Sequence, residues 1–146
     1  MNPSVDAQFD GWDLVLSSGF LAFGRHLGFM RAVHTQGIPV SGVCGTSSGA
    51  LVGALWSAGV SIDDMTDLFH VPRPVTKLSL SKSPWLGVFS LAPMLEQVAS
   101  LLPESIEDLG RPFGVGVTGP GKKHEILTRG PLVPALRASC AVPMML

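Results

Sequence analysis

The chain has 146 residues, 46% of them hydrophobic, which is the size of one ordinary domain whose core buries roughly two thirds of the unfolded surface. Charged residues make up 14% of the chain and the formal net charge is −1. The overall electrostatic potential therefore gives no reason to expect binding of nucleic acid or of an acidic ligand. Residues 1–12 contain no basic cluster and no apolar run, and no stretch approaches the length of a membrane span. We therefore expect a cytoplasmic protein without a secretory signal.

The two cysteines, Cys44 and Cys140, are too few to indicate a disulfide framework. Cys44 falls within a presumed buried strand, so both are expected to be reduced thiols that pack as small hydrophobic side chains. No His, Cys or carboxylate spacing resembles a set of metal ligands. The sequence therefore predicts no metal and no cofactor.

The first sixty residues alternate between strand and helix patterns. A short apolar run over Asp13–Ser17 predicts a buried strand, and helical spacing predicts a helix from Ala22 to Gln36. Val40–Cys44 predicts a second strand, followed by an almost wholly apolar helix from Ser48 to Ala58. This order predicts a parallel sheet with a right-handed crossover connection.

Both helices carry two glycines four residues apart. Gly24 and Gly28 in the first helix leave one face without side chains, so a neighbouring element is expected to approach it closely. Gly49 and Gly53 in the second helix form the same pattern within an apolar sequence, which is typical of a central, buried helix.

The second half of the chain predicts shorter elements. These are a helix opened by a capping box at Ser61 and Asp64, a helix starting at Ser90 and Pro93, a helical turn over Ser105–Leu109, a hairpin of Phe113–Val117 with Glu125–Thr128, and a helix over Pro131–Cys140.

The segment from Leu68 to Leu95 contains no acidic residue. It interleaves cationic side chains with aromatic ones, which are Arg73, Lys77, Lys82, Trp85 and Phe89. Two interpretations remain open: a surface loop that covers the core, or a substrate mouth that also contacts a membrane surface, with cations for lipid phosphates and rings for acyl chains.

The pentapeptide Gly45-Thr46-Ser47-Ser48-Gly49 is the motif that indicates catalysis, and it lies between the second predicted strand and the apolar helix. A sharp strand-to-helix turn crowds the residues on either side of its central serine, and glycine at both flanks relieves that crowding. The start of the helix stabilises negative charge. We therefore hypothesise that Ser47 is a catalytic nucleophile.

Three blocks of sequence, in the right order, resemble the patatin-like phospholipases, which are serine lipid acyl hydrolases with a three-layer α/β/α fold. They are the loop and helix from Leu16 to Phe29, the elbow from Gly45 to Leu51, and the tail from Ala138 to Pro143. The resemblance covers Asp13 to Pro143. It implies a leader of residues 1–12 and a patatin-like domain of residues 13–146.

The resemblance also implies site residues and one departure. A loop of Ser18, Gly19 and Phe20 would hold the oxyanion, although it keeps only one glycine of the family's run and has Ala22 where an arginine would fall. The family's base is an aspartate in an Asp-Gly-Gly or Asp-Gly-Ala motif. Here the Asp-Gly pair is Asp10-Gly11, near the wrong end, so we expect a domain truncated before its catalytic aspartate and weak or inactive alone.

Three functions remain open at this point. The first is hydrolysis of a phospholipid or other acyl ester, with the base supplied by a missing C-terminal segment. The second is a non-catalytic lipid-binding or regulatory protein, and the third is an acyltransferase that passes the acyl group to another acceptor. His26 is a conceivable base, but its place among packing positions of the first helix favours a structural role. Asp63, Asp64 and Asp67 are expected to be solvated or capping carboxylates.

Overall fold

The computed structural model describes residues 11–20, 22–70, 79–80, 89–90 and 92–141. Strands and helices alternate along the first half of the chain. The elements are β1 (Trp12–Leu16), α1 (Phe23–Thr35), β2 (Val40–Gly45), α2 (Ser48–Ser57) and α3 (Ile62–His70). The first four lie within two residues of the boundaries predicted from the sequence, and α3 begins directly after the predicted cap at Ser61.

The second half contains a short strand pair and a hairpin. The elements are β3 (Ser79–Leu80), β4 (Phe89–Ser90), α4 (Ala92–Ala99), β5 (Phe113–Thr118), β6 (His124–Leu127) and α5 (Leu132–Cys140). Two short 3-10 turns, Ile106–Asp108 and Pro120–Lys122, precede β5 and β6 respectively. The predicted helical turn and hairpin are therefore both present.

The described strands form a mixed, mostly parallel four-stranded sheet in the order β1-β2-β5-β6, and β3 pairs with β4 separately. β1 and β2 are parallel, as are β2 and β5, with Gly45 opposite both Leu16 and Val115. β6 is antiparallel to β5 because a tight turn joins them. The fold is thus α/β, and β2, which leads into the pentapeptide, is a central strand.

Helix α2 occupies the centre of the core, as its apolar sequence predicts. All of its residues except Trp56 are buried. A Cβ atom added to Gly53 would lie 2.8 Å from Cγ1 of Val43 and 3.0 Å from the ring of Phe113, so α2 packs directly on β2 and β5. Helices α1, α3 and α5 all contact α2.

The two glycine pairs behave differently, and the expectation for α1 was wrong. A Cβ atom added to Gly24 or to Gly28 would meet nothing within 4 Å, because both lie on the exposed side of α1. The buried side of α1 is formed by Phe23, His26, Leu27, Met30 and Val33. Glycines at the same spacing therefore mark a close approach only where the surrounding residues are also apolar.

Helix α3 begins at the predicted pair of Ser61 and Asp64, although only one of the two bonds of a capping box is present among the described contacts. The Ser61 hydroxyl accepts a hydrogen bond from the Asp64 N–H at 3.0 Å and donates one to the Asp64 carboxylate at 2.6 Å. Met65 and Phe69 are buried, and the ring of Phe69 stacks on that of Phe23 with centroids 4.3 Å apart. These contacts attach α3 to α1.

The side chains that point away from α2 on the sheet are largely exposed. Val15 is 78% exposed and Ile126 is 65% exposed. Cys44 lies on this face and Cys140 is buried in α5; both thiols are free, as expected. In the described parts of the chain, no helix has both the length and the apolar content needed to span a bilayer.

Candidate active site

Ser47 lies between the end of β2 and the start of α2 in a backbone conformation that non-glycine residues rarely adopt. Its φ is 54° and its ψ is −121°. Such a conformation costs about 1–3 kcal/mol and persists only where the surrounding structure holds it in place. Ser47 also lies at the carboxyl end of a central parallel strand, where open α/β sheets place their ligand sites. The residue predicted to be a nucleophile therefore has a strained backbone and lies at the carboxyl end of a central strand.

The glycines on either side of Ser47 are required by contacts with backbone atoms. A Cβ atom on Gly45 would lie 2.5 Å from the carbonyl oxygen of Gly49. A Cβ atom on Gly49 would overlap the carbonyl oxygen of Leu16 and lie 2.7 Å from that of Ser17. The turn thus brings Gly45 against Gly49, and it brings both against the end of β1.

Two hydrogen bonds hold the loop after β1 against this turn. The Thr46 N–H donates to the carbonyl oxygen of Leu16 at 3.0 Å, and the Ser48 hydroxyl donates to that of Gly19 at 2.8 Å. Ser18 and Phe20 are exposed beside them. The structure thus brings together the two segments that the resemblance assigns to the nucleophile and to the oxyanion loop.

The backbone N–H groups of Ser18, Gly19 and Phe20 in this loop have no acceptor among the described residues. The N–H of Ser47, in contrast, donates to the Ser139 hydroxyl at 2.9 Å. The Ser47 amide is therefore already engaged within the protein.

Helix α5 forms the third side of the site. The Ser139 hydroxyl donates to the carbonyl oxygen of Gly116 at 2.6 Å while it accepts from Ser47. Burial raises the pKa of the adjacent Cys140 thiol to about 11, and the nearby Ser47 side chain opposes this increase in part. Cys140 is thus a neutral neighbour and cannot serve as a base at neutral pH.

His26 is close to the site but does not contact Ser47. It is buried, and its Nε2 lies 3.5 Å from the Ser48 hydroxyl oxygen. Burial lowers the pKa of His26, partly opposed by a hydrogen bond to the backbone of Ser17, and Arg25 lowers it further. The imidazole of His26 thus lies next to Ser48, and the alternative in which His26 acts as the base of Ser47 finds no contact among the described residues.

The carboxylates of α3 have other partners. Asp63 forms an exposed ion pair with Arg31 at 2.6 Å, and the Asp64 carboxylate accepts a hydrogen bond from the Ser61 hydroxyl at 2.6 Å. Within the described residues, no carboxylate or imidazole contacts the Ser47 hydroxyl.

A cavity in the described structure lies away from Ser47. Its volume is about 530 Å³, and its lining includes Asp13, Cys44, Glu107, Phe113 and Thr128 but not Ser47. Burial raises the pKa of the Cys44 thiol, so this cavity offers no activated nucleophile. Volume alone therefore does not mark the site.

The family model described as patatin-like phospholipase matches residues 14–146. The chain belongs to the patatin-like phospholipase family. The mixed, mostly parallel sheet with its helices is consistent with the α/β/α fold of that family. At the level of the family, this membership supports lipid hydrolysis.

Relatives of this patatin-like chain include proteins of very different length. It is 29% identical over 137 residues to an NTE family protein of Mycobacterium tuberculosis, covering 89% of this chain and 37% of that protein. It is 32% identical over 136 residues to the neuropathy target esterase sws of Drosophila melanogaster, covering 88% of this chain and 10% of that protein. The patatin-like chain thus spans well under half of these relatives.

Some of the predicted site residues lie outside the described part of the chain, and two neighbours of Ser47 were not predicted. Arg73, Lys77, Lys82 and Trp85 lie outside the described residues, and only the backbone of Phe89 is described, in β4. Ser139 and Cys140 were not singled out as site residues. Their contacts with Ser47 cross 92 positions or more, and a serine near the end of a short helix carries no local signal of that contact.

Proposed function

We propose that this chain carries the nucleophile and the oxyanion loop of a serine-dependent lipid acyl hydrolase, a phospholipase or esterase. The Ser47 hydroxyl attacks the ester carbonyl carbon, the alcohol portion leaves, and water then hydrolyses the acyl-serine ester. The observation that carries the proposal is the backbone of Ser47, a non-glycine residue with a φ of 54° at the junction of a central strand and a buried helix.

The proposed oxyanion site consists of backbone N–H groups of Ser18, Gly19 and Phe20. These groups have no acceptor among the described residues, and Ser48 fixes the carbonyl of Gly19 to the elbow. One preorganised donor of this kind typically contributes about 3 kcal/mol to transition-state stabilisation. The N-terminus of α2 adds a favourable field for the developing charge.

The proposed mechanism also needs a base for the Ser47 proton. The resemblance assigns this role to an aspartate in an Asp-Gly-Gly or Asp-Gly-Ala segment, and neither motif occurs among the 146 residues. We propose that an aspartate outside these residues completes the site. A serine site without its base commonly loses several orders of magnitude in rate, so the 146 residues alone are expected to react slowly.

A fluorophosphonate probe tests the nucleophile directly, because it phosphonylates activated serines and does not require turnover. Because the base is absent from these residues, we expect slow labelling on prolonged incubation that is abolished in Ser47→Ala. Ser57→Ala is the matched control, since Ser57 is a buried serine at the other end of α2. Labelling that persists in Ser47→Ala contradicts the proposal, and no labelling together with retained lipid binding favours the non-catalytic alternative.

A contact with anionic lipid surfaces is proposed for the segment that contains Arg73, Lys77 and Lys82, with Trp85 and Phe89 near the acyl chains. The support is compositional: three cations and no acidic residue between Leu68 and Leu95. Reversing the three charges should reduce co-sedimentation with anionic liposomes and leave sedimentation with neutral liposomes unchanged. Equal sedimentation of both proteins with anionic liposomes would exclude this contact.

A further inference from the structure

We propose that Ser139 is a positioning residue for Ser47, and that its hydroxyl group fixes the strained backbone of the elbow to strand β5. This inference rests on the proposed role of Ser47 as nucleophile. It assigns a function to α5, an element that follows the elbow by more than eighty residues.

The Ser139 hydroxyl accepts one hydrogen bond and donates another, and the two bonds bridge the elbow and strand β5. It accepts from the Ser47 N–H at 2.9 Å and donates to the carbonyl oxygen of Gly116 at 2.6 Å. Ser139 is 9% exposed, so water competes little for either contact. The hydroxyl therefore joins two backbone groups that have no direct contact with each other.

The position of Gly116 explains why a side chain is needed here. Strands β2 and β5 pair only as far as Gly45 opposite Val115, because the chain leaves β2 to form the elbow. Gly116 is the next residue of β5, and its carbonyl oxygen is bonded to Ser139. A Cβ atom on Gly116 would lie 2.7 Å from the Thr46 hydroxyl oxygen, which shows how closely β5 passes the elbow.

Ser139 thus continues the contact between β2 and β5 past the point where the strands separate. The peptide group that it holds is the one between Thr46 and Ser47, and the orientation of that group sets φ at Ser47. Because this φ is unfavourable for serine, the peptide group would rotate if it lost its acceptor. Rotation would move the Ser47 hydroxyl relative to the loop of residues 17–20.

The inference predicts a specific kinetic pattern for Ser139→Ala. Misplacing a reacting group by about 1 Å costs up to 100-fold in rate, so the maximal rate of phosphonylation, kinact, should fall about 10- to 100-fold. The apparent affinity for the probe, KI, should stay within about twofold, since the pocket is unchanged. Ser139→Thr keeps the hydroxyl and should recover most of kinact, while Ser57→Ala, a buried serine without this contact, should match the unmodified chain.

A second measurement does not depend on reactivity. Amide hydrogen exchange by nuclear magnetic resonance should be at least about tenfold faster at Ser47 in Ser139→Ala, because the N–H loses its acceptor. The Leu51 N–H donates to the Ser47 carbonyl oxygen at 3.1 Å on the other side of the same residue and should keep its exchange rate. If Ser139→Ala does not fold, Ser139→Cys replaces it, since a thiol is a weaker donor and acceptor and should give an intermediate loss.

The outcomes separate the two proposals. Unchanged kinact and unchanged Ser47 exchange in Ser139→Ala, or equal kinact in the Thr and Cys variants, would overturn the positioning role. Labelling that survives Ser47→Ala would overturn the proposed nucleophile instead. If the chain is not labelled at all, the exchange rates alone decide whether Ser139 holds the elbow.

Discussion

Substituting Gly49 with alanine is expected to destabilise the fold, although alanine is the better helix former. The added Cβ atom would overlap the carbonyl oxygen of Leu16 and lie 2.6 Å from its carbonyl carbon and 2.7 Å from the carbonyl oxygen of Ser17. These are backbone atoms at the end of β1, so a change of rotamer cannot relieve the overlap. Either α2 or β1 must shift.

The expected magnitude follows from two opposing contributions. Overpacking in a core costs typically 1–3 kcal/mol, and a rigid backbone neighbour places Gly49→Ala near 3 kcal/mol. Replacing glycine by alanine within a helix recovers about 1 kcal/mol. The net loss is about 2 kcal/mol, which corresponds to a decrease of about 6 °C in the melting temperature of a domain of this size.

Gly28→Ala provides the matched control, because it is the same substitution in a helix where the added Cβ atom meets nothing within 4 Å. It should increase the free energy of unfolding by roughly 0.5–1 kcal/mol. Urea unfolding followed by circular dichroism measures both variants. If Gly49→Ala is as stable as the unmodified chain, or if both substitutions shift stability in the same direction, the assignment of close backbone packing at the elbow is refuted.

Three further changes test other parts of the structure. Ser57→Ala should raise the free energy of unfolding by about 1 kcal/mol, because the hydroxyl is fully buried and no described group bonds to it; a loss of stability in urea would contradict this. Arg111→Ala should cost about 1 kcal/mol, since the guanidinium donates to the carbonyl oxygen of Trp56 at 2.6 Å and lies 4.3 Å from its ring centroid; Arg111→Lys should restore little of it. Burial lowers the pKa of His26 below 6.5, so the unfolded chain binds this proton more readily and the free energy of unfolding should fall as the pH drops below about 6.5. His26→Asn should flatten that part of the plot of unfolding free energy against pH. Superimposable plots for the two proteins would contradict this prediction.

The order and type of the elements could be predicted from the sequence because their signals are local. Helical spacing over Phe23–Thr35, the capping box of Ser61 and Asp64, and the glycine-proline turn before His124 each lie within a few residues of one another. The pentapeptide around Ser47 also lies between a strand and a helix, as its context predicts. Local sequence therefore determined most of the element boundaries.

The contacts that shape the site could not be predicted, because they join distant residues. Ser139 bonds to Ser47 across 92 positions, and Ser48 bonds to Gly19 across 29. The glycine pairs illustrate the same limit. Gly24 and Gly28 have the spacing of Gly49 and Gly53, and only the packing of the whole sheet shows that one pair is exposed and the other buried.

The bond between Ser47 and Ser139 also sets when the elbow can form during synthesis. Ser139 follows Ser47 by 92 positions, a stretch that takes roughly 5–18 s to translate at about 5–20 residues per second. During this interval the acceptor for the Ser47 N–H has not yet been made, so β1, β2 and α2 can associate while the serine lacks its final backbone conformation. The bond between Ser47 and Ser139 can therefore form only after α5 has left the ribosome.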